Sequence, residues 1–357
     1  MNPKGKKFIV LIIVLSLVIF SGNSMAEEQK YGEDERNPES LRKKIKISFK
    51  ITGGLGYLLN GAGDLNRARE GLEAILSDWG KQDNYSSTFD WKRLSMLSDW
   101  KADLIINITP KIGIGIGSGF ITASNKGKYS LSSSYSWSWE DWTDTGEDKS
   151  NVDEDYKITA IPLNLDVYFF QPMGKSNKYN FFGYAGFGYY FGKLTHVEKV
   201  DGSYNYDSFI SGSLNYQGES EYSTTRNEEM KNNSFGFHGG LGLEMKMSSV
   251  ISFGVELFGR YVNFKNWEGD ASTSWESKYK YWSSWSGWEE GTNSSKEEDV
   301  YGQLWTFDIH NEISNKYHTY MMFMETKPSD GTFYKNTKKA SINLNTFGLS
   351  FSIKFHF

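Results

Sequence analysis

Residues 346–357, TFGLSFSIKFHF, are the last segment of the chain and the one that decides its fold. Apolar and polar residues alternate there without interruption, which is typical of a β-strand with one apolar and one polar face. The apolar set is Phe347, Leu349, Phe351, Ile353, Phe355 and Phe357, and the other set is Thr346, Gly348, Ser350, Ser352, Lys354 and His356.

Seven earlier segments show related alternation, at 45–59, 100–108, 112–120, 161–169, 181–192, 235–246 and 251–261. The fifth of them has aromatic residues on both faces, so its register is ambiguous. The assigned apolar faces carry no Asp, Glu, Lys or Arg, although 23% of the chain is charged. A lipid-facing Lys or Arg costs roughly 2–4 kcal/mol at the bilayer midplane, so a membrane would enforce this absence. A water-soluble barrel would instead turn the apolar face inward, where glycines and charges now lie.

The connections between these segments alternate in length. Those at 109–111, 171–178 and 248–249 are short, and those at about 60–92, 123–156, 193–233 and 268–340 are long and polar. Long loops of membrane barrels face the outside and short turns face the periplasm. We therefore predict an all-β fold, a transmembrane antiparallel up-and-down β-barrel of eight strands with both termini in the periplasm. Ten strands are the alternative, because 301–313 and 317–325 also alternate weakly, but Gln303 and Glu325 would then face lipid, which favours a loop.

The first residues form a leader for export. Lys4, Lys6 and Lys7 precede an apolar run over 8–20, and Ser24-Met25-Ala26 supplies the small residues of a cleavage site. This pattern predicts a Sec signal peptide over 1–26, followed by a charged periplasmic segment over 27–44 and the barrel domain over 45–357. The chain has no cysteine, so disulfides do not stabilise the exported protein.

Composition limits the partners that the mature chain can bind. Removing the leader's three lysines from the 39 basic residues leaves 36 against 44 acidic ones. This excess of negative charge argues against nucleic acid as a partner. Aromatic residues make up 16% of the chain, and 36 residues are glycine. The mean hydropathy is nevertheless only −0.55. Such a balance suits strands that are apolar on one face alone.

The C-terminal segment, with Gly348, Phe355 and Phe357, resembles the β-signal read by the barrel-assembly machinery. In pattern and ending, 45–357 resembles the small outer-membrane barrels of the OmpA, OmpX and OmpW kind. The resemblance implies an eight-stranded barrel in the cell outer membrane of a Gram-negative-type cell, inserted by that machinery. Outer-membrane lipid and lipopolysaccharide are then its expected surroundings. It implies no particular activity, since this fold hosts adhesins, small-solute channels, anchors and a few enzymes.

Charged residues on the polar faces are expected inside the barrel, where eight strands leave barely enough room for side chains. We predict that they neutralise one another as a plug, with Glu256 and Arg260 the pair expected to meet. A narrow, porin-like channel for small polar solutes is the alternative. The predicted network consists of Lys50, Asp103, Asp166, Glu244, Lys246, Glu256 and Arg260.

The long connections contain two aromatic and polar stretches, over 134–142 and 279–290, each ending in acidic residues. We interpret them as strand extensions above the membrane. The alternative is a platform for an unknown extracellular ligand such as a glycan, formed by Trp137, Trp139, Trp282 and Trp285. Acidic clusters over 141–155 and 297–299 could hold calcium, although a solvated acidic face is favoured. In the first connection, Asp64 is predicted to cap a helix that Gly80 ends.

No enzyme motif is found in the sequence. Neither a Gly-Xaa-Ser-Xaa-Gly elbow nor a phosphate loop, zinc spacing or dinucleotide fingerprint occurs. Asp308 and His310 could form an acid/base pair, but two such residues in a polar loop are usually coincidental. We therefore predict a non-enzymatic surface protein with a structural or binding role, with no cofactor and no metal; a surface adhesin for glycans is a further alternative.

Overall fold

The computed structural model describes residues 46–59, 61–174 and 178–357. The expected signal peptide, 1–26, the expected periplasmic segment, 27–44, and Ile45 lie outside these residues. Within the described ranges, antiparallel strands make up almost all of the regular structure, and a single helix accompanies them. The prediction of an all-β antiparallel fold is therefore confirmed.

Among the described residues fourteen strands form the sheet, so the predicted counts of eight and ten are both too low for this sheet. The helix α1 spans Asp64–Trp79. The strands are β1 (Lys46–Leu58), β2 (Tyr85–Trp91), β3 (Met96–Asn107), β4 (Ile112–Trp139), β5 (Trp142–Met173), β6 (Tyr179–Ile210), β7 (Ser213–Lys246), β8 (Ile251–Lys265), β9 (Glu268–Ser283), β10 (Gly287–Asn311), β11 (Lys316–Met324), β12 (Tyr334–Lys339), β13 (Ser341–Asn343) and β14 (Thr346–His356).

Eight of these strands pair in a cycle, which we call the ring. The order is β1, β3, β4, β5, β6, β7, β8 and β14, and β14 pairs in turn with β1. The last ladder runs from Ser48 opposite His356 to Leu58 opposite Thr346. Each of the eight segments predicted to be a strand falls on one ring strand, whereas the weakly alternating stretches 301–313 and 317–325 fall on β10 and β11. The short connections lie at one end of the ring, called here the lower end, and the long hairpins lie at the upper end.

The additional strands occupy stretches that were predicted to be long polar loops. Strands β4 to β7 continue far above the ring and contain 28, 32, 32 and 34 residues. At about 3.3 Å per residue, such strands reach roughly 100 Å, several times the thickness of a membrane. Strand β9 pairs with the upper part of β7, and β10 joins β9, β11 and β12. The preference for a loop over 301–313 and 317–325 was wrong, because β10 and β11 form a hairpin there.

The two faces of the ring differ as the alternation predicted. On β14, Phe347 is 55% and Phe351 62% exposed, whereas Ser350 and Lys354 are buried. The ambiguous register of β6 is resolved by the same measure. Its exposed aromatic residues include Phe187, and its inward ones include Tyr184 and Tyr190. At the lower level of the ring, apolar side chains therefore point outward and polar ones inward.

Above this level the interior changes to an apolar cluster, which we call the apolar layer. Ile158, Leu194 and Met230 come from three neighbouring ring strands and are fully buried. Trp267 and Leu344, from the connections above β8 and before β14, complete it and are also fully buried. The interior thus holds charged side chains and a small, mainly aromatic cluster below, and a larger apolar cluster above.

Helix α1 contributes Leu65 to the apolar layer and packs against β11. It begins after Gly63, which occupies the N-cap position, and it ends at Gly80. The prediction that Asp64 caps the helix was wrong, because the Asp64 carboxylate instead accepts the Ser341 backbone N–H at 2.8 Å. Among the described residues, no helix has the length and apolar character needed to cross a bilayer.

Candidate functional site

The lower interior of the ring holds a set of charged side chains that we call the polar layer. Its members are Lys50, Asp99, Lys101, Asp103, Asp166, His238, Glu244, Glu256, Arg260 and Lys354. They project from β1, β3, β5, β7, β8 and β14, because inward positions recur at every second residue of each strand. Six of the seven residues predicted for an interior charge network are members.

Lys50 and Glu256 form the most deeply enclosed pair, and each is only 3% exposed. Lys50 Nζ donates to Glu256 Oε2 at 2.6 Å, and Ser350 Oγ donates to the other carboxylate oxygen at 3.0 Å. The Lys50 ammonium also lies 4.5 Å from the centroid of the Phe182 ring. Both charges are therefore satisfied by direct partners, as burial away from water requires.

A second group surrounds Asp166. Lys101 Nζ donates to Asp166 at 2.5 Å and also lies 3.2 Å from Asp103. The His238 Nε2 atom is 2.6 Å from the other Asp166 oxygen, and the Tyr168 hydroxyl donates to Asp103 at 3.0 Å. The two carboxylates are thus held by a shared ammonium group, a phenol and an imidazole.

Two further pairs complete the polar layer. Lys354 Nζ donates to Glu244 at 3.1 Å, and Arg260 donates to Asp99 at 2.5 Å. Lys246, the remaining predicted member, is half-buried near the lower end of β7, and among the described residues no ion pair joins it to the layer. Each charged group of the layer therefore has at least one oppositely charged partner, although Arg260 Nε and one Asp99 oxygen are buried without a hydrogen bond to any described residue.

The predicted pairing of Glu256 with Arg260 was wrong. The two residues share a face of β8 but are four residues apart, which is about 13 Å along a strand. Side chains from other strands come closer, so Glu256 pairs with Lys50 and Arg260 with Asp99. Asp99 was missed because the predicted segment began one residue later, at Trp100.

A second polar cluster lies above the apolar layer and was not predicted. It consists of Glu154, His196, Glu198 and Glu228 on the inner faces of β5 to β7, with Arg69 of α1 and Arg226. Tyr156 stacks on the His196 ring with centroids 4.0 Å apart. Together with Tyr320 and apolar side chains of α1 and β11, the cluster lines a cavity of about 120 Å³. We call it the His196 cluster.

The contacts in the His196 cluster are unevenly distributed. His196 Nδ1 lies 3.1 Å from Glu228, Arg226 lies 2.8 Å from the same carboxylate, and Arg69 lies 3.3 Å from Glu154. Burial raises the pKa of the Glu198 carboxyl above its ordinary value, against the nearby positive charges that lower it. Glu198 is therefore the acid of this cluster with the weakest compensation.

The upper part of the sheet carries a row of tyrosines across four strands. Tyr206 pairs across the sheet with Gly146 and Gly218, and Gly218 pairs with Tyr281. A side chain at Gly146 would collide with the Tyr135 ring, so this glycine makes room for the row. The members of this tyrosine row are Tyr135, Tyr204, Tyr206, Tyr216, Tyr279 and Tyr281.

Neighbouring rings of the tyrosine row touch. The Tyr135 and Tyr204 hydroxyls are 2.7 Å apart, and the Tyr216 and Tyr281 rings are stacked with centroids 5.7 Å apart. The hydrogen bond with the Glu289 carboxylate raises the pKa of Tyr281 to about 12. The row is a half-exposed surface of aromatic rings and hydroxyl groups.

The stretches 134–142 and 279–290 lie mostly in strands β4, β5, β9 and β10, as the strand-extension interpretation expected. The four tryptophans of the alternative binding platform do not come together. Trp137 and Trp139 lie on β4 two and four residues beyond Tyr135, on the face of the tyrosine row. Trp282 follows Tyr281 directly, so it points to the opposite face, where it pairs with Trp288. Trp285 lies in the turn between β9 and β10 and is 92% exposed.

The acidic residues of 141–155 are spread over both faces of β5 instead of converging. Asp153 pairs with Lys128 at 3.0 Å and Asp155 with Lys126 at 3.3 Å on the outer face, while Glu154 points inward. Asp308 and His310, expected to be a coincidental pair, each have other partners. Asp308 accepts from Thr319 and Asn336, and His310 contacts Asn315.

Gly348 and Phe355 of the predicted assembly signal lie on β14, which pairs with both β1 and β8, and Phe357 directly follows this strand. Gly348 faces inward, where an added side chain would collide with the Leu55 carbonyl and the Phe258 ring. Phe355 is half-buried, and Phe357 is 73% exposed. Recognition by the assembly machinery stays a prediction.

Comparisons with known proteins yield distant similarities of shape alone. No protein-family model matches the chain, and no curated protein matches it. The outer membrane protein OprG from Pseudomonas aeruginosa aligns over 87% of this chain and 95% of its own, with 12% identity and a TM-score of 0.29. The outer membrane protease OmpT from Escherichia coli aligns over 89% and 99%, with 11% identity and a TM-score of 0.29. A major outer membrane protein from Thermus thermophilus aligns over 87% and 99%, with 11% identity and a TM-score of 0.21. Similarity at this level assigns no function.

Proposed function

We propose that this chain is an integral outer-membrane protein whose eight ring strands cross the membrane as a closed barrel. The observation that carries the proposal is the reversal of faces in the lower ring. The apolar run of β14 extends from Phe347 to Phe357, which at about 3.4 Å per residue and a tilt near 40° gives roughly 25 Å. That is the height of the apolar band of outer-membrane barrels.

We further propose that the barrel interior is sealed and that the protein serves as a structural or surface-binding protein, without catalytic activity. The paired charges of the polar layer and the side chains of the apolar layer support this, because they fill the ring at successive levels. Eight strands enclose little more space than such side chains occupy. A narrow channel for small polar solutes would need both layers to open.

Planar-bilayer recording tests the sealed interior. Detergent-refolded protein is first checked on a gel, where a folded barrel migrates faster unheated than boiled. We expect no reproducible single-channel steps from the folded protein. Lys50→Ala with Glu256→Ala widens the polar layer and serves as the sensitised variant. Regular conductance steps from the unmodified protein would contradict the sealed interior and support the narrow channel for small polar solutes instead.

We propose the tyrosine row as the binding surface, with glycans as the ligand class. Aromatic faces bordered by hydroxyl groups can stack on sugar rings and hydrogen-bond to them, which supports this choice. The row replaces the four-tryptophan platform, since Trp282 and Trp285 lie away from it. Trp137, on the same face, extends the surface.

Binding of refolded protein to immobilised glycans tests the surface. Replacement of both Tyr206 and Tyr216 by serine is expected to lower binding at least tenfold, because stacked aromatic contacts are lost. Trp285→Ala, which removes a more exposed aromatic residue off the row, is the matched control and should leave binding unchanged. Equal loss in both variants, or no glycan bound by the original protein, would contradict the proposed surface.

A further inference from the structure

The His196 cluster lies outside the apolar band. On the outer faces of β6 and β5, Lys193 and Lys157 are the first charged residues above the exposed apolar positions. Lys193 lies below His196 on β6, and Lys157 pairs with Thr195, the residue before His196. Its cavity is therefore at the extracellular end of the barrel, above the apolar layer. Neither the sealed interior nor the tyrosine row accounts for it.

Three potential ligand atoms converge in this cavity. One nitrogen of His196 and one carboxylate oxygen each from Glu154 and Glu198 all lie within 4.8 Å of one another. These positions are built into the sheet, because Glu154 pairs across the ladder with Glu198, and His196 lies two residues from Glu198 on the same face. The spacing is suited to one ion placed between the three groups.

His196 has one ring nitrogen engaged by a carboxylate and the other without a partner among the described residues, as the geometry of a metal ligand requires. The residue is only 6% exposed, and its Nε2 atom is buried with no hydrogen-bond partner. Its Nδ1 atom faces Glu228 at 3.1 Å, which favours the tautomer that donates from Nδ1 and leaves a lone pair on Nε2. Histidine ligands in metal sites almost always donate their other ring N–H to such a carboxylate. Stacking on Tyr156 fixes the plane of the ring.

The charges of the cluster also favour a cation. Three carboxylates, Glu154, Glu198 and Glu228, face two guanidinium groups, which leaves one negative charge uncompensated. Arg226 is committed to Glu228, and Arg69 contacts Glu154 through Oε2, leaving the other Glu154 oxygen available. Among the described residues, the Glu198 carboxylate has no hydrogen bond or ion pair.

We propose that Glu154, His196 and Glu198 bind one divalent transition-metal cation, with Glu228 orienting His196. One imidazole nitrogen with two carboxylate oxygens suits zinc and its neighbours in the first row, whereas calcium takes oxygen ligands only. Three protein ligands leave a fourth position for water or for an external group, as at zinc sites that remain open. The outward-facing Asp153 and Asp155 do not take part.

Calorimetric titration of the untagged, full-length refolded protein with Zn²⁺ tests the site, after EDTA treatment and its removal. We expect one Zn²⁺ per chain, with Ca²⁺ unable to compete at equal concentration. His196→Gln and Glu198→Gln should each abolish saturable binding, and Glu228→Gln should weaken it by about 10- to 100-fold. Asp153→Asn, next to Glu154 on the opposite face, is the matched control and should bind as the original protein does.

Binding of Co²⁺ provides a second readout, because its visible absorption reports ligation by nitrogen and oxygen. The fast-migrating unheated band on a gel confirms that each variant is folded. If His196→Gln does not fold, Glu198→Gln decides alone, since this side chain is only partly buried. Absence of stoichiometric binding, undiminished binding in the folded ligand variants, or equal competition by Ca²⁺ would each overturn the proposal.

Discussion

Two levels of the ring place their apolar and polar side chains on opposite sides. In the lower part, Lys50 lies inside the ring while Phe49 and Ile51 are exposed on the outside. In the upper part, Leu194 lies inside, fully buried, while Lys193 on the outside pairs with Glu229 at 2.7 Å. The upper level is arranged like a water-soluble protein, and the lower level is its inverse. In the proposed membrane orientation, the change between the levels corresponds to the boundary between hydrocarbon and water.

The same comparison explains how the interior is stabilised at each level. The apolar layer gains from the hydrophobic effect, as in a soluble core. The polar layer packs against a smaller buried cluster that includes Phe182 and Tyr184, so its stability depends more heavily on the pairing of buried charges. The loss of one side chain should therefore change the free energy of unfolding by different amounts at the two levels. Four substitutions test this expectation.

The largest effect is expected for Lys50→Met. The substitution leaves Glu256 buried without its ammonium partner, which should lower the free energy of unfolding by about 3–5 kcal/mol. Urea unfolding of protein refolded into lipid vesicles, followed by tryptophan fluorescence, measures the change. Combining Lys50→Met with Glu256→Leu should recover most of the loss, because an apolar pair replaces the ion pair. A double variant as unstable as the single one would show that packing, not charge, dominates the polar layer.

A smaller average effect is expected for Leu194→Ala in the apolar layer. Removing a fully buried leucine side chain costs about 2–5 kcal/mol, with the value set by how far the cavity collapses. The same urea experiment applies. Val197→Ala, three residues along β6 but only partly buried on the outer face, is the control and should change stability much less. Equal losses of stability in Leu194→Ala and Val197→Ala would contradict the tight packing of Leu194 in the apolar layer.

Asn66→Ala should cost about 2 kcal/mol, because it leaves buried backbone groups unpaired. The Asn66 side chain donates to the Leu94 carbonyl at 3.1 Å and accepts the Leu94 N–H at 3.0 Å, joining α1 to the chain before β3. We expect faster hydrogen exchange in α1 with little change in the ring strands. Asn66→Asp retains the side-chain acceptor, so its free energy of unfolding should lie between those of the original protein and Asn66→Ala. Uniformly faster exchange throughout would contradict a local role.

The smallest effect is expected for Lys128→Met, the matched control for Lys50→Met. Lys128 pairs with Asp153 at 3.0 Å, but both side chains are more than half exposed. Exposed ion pairs contribute less than about 1 kcal/mol, and salt screens them further. A loss comparable to that of Lys50→Met would contradict the distinction between buried and exposed pairs.

The sequence predicted the lower level of the ring well and the upper level poorly, for a physical reason. At the lower level the outward side chains are apolar and the inward ones are largely polar, so alternation is strict and Phe351 and Lys354 could be assigned to their faces. In the upper extensions both faces of the sheet carry polar residues, and the alternation of β9 and β10 becomes too weak to distinguish strand from loop. Fourteen strands therefore appeared as eight.

The sequence could not show which inward-facing residues pair with one another, for a similar reason. Alternation assigns Glu256 to the inner face but does not say which inner residue of another strand lies nearest, because that depends on register and stagger. His196 illustrates the same limit. It alternates correctly with Glu198 and Leu194, yet only the pairing of β5 with β6 and β7 brings it to Glu154 and Glu228.

The ladder between β1 and β14 joins Ser48 to His356, so the first and last described strands depend on each other. The edges of β1 and β8 stay unpaired until β14 has been synthesised and has reached the sheet, because no earlier strand can substitute for β14. Such a contact has nearly the longest sequence separation available to the chain, and closing it is intrinsically slow. During that delay the exposed edges of β1 and β8 are open to pairing with other chains, so a helper that holds the final strand would protect the protein while it is most vulnerable to aggregation.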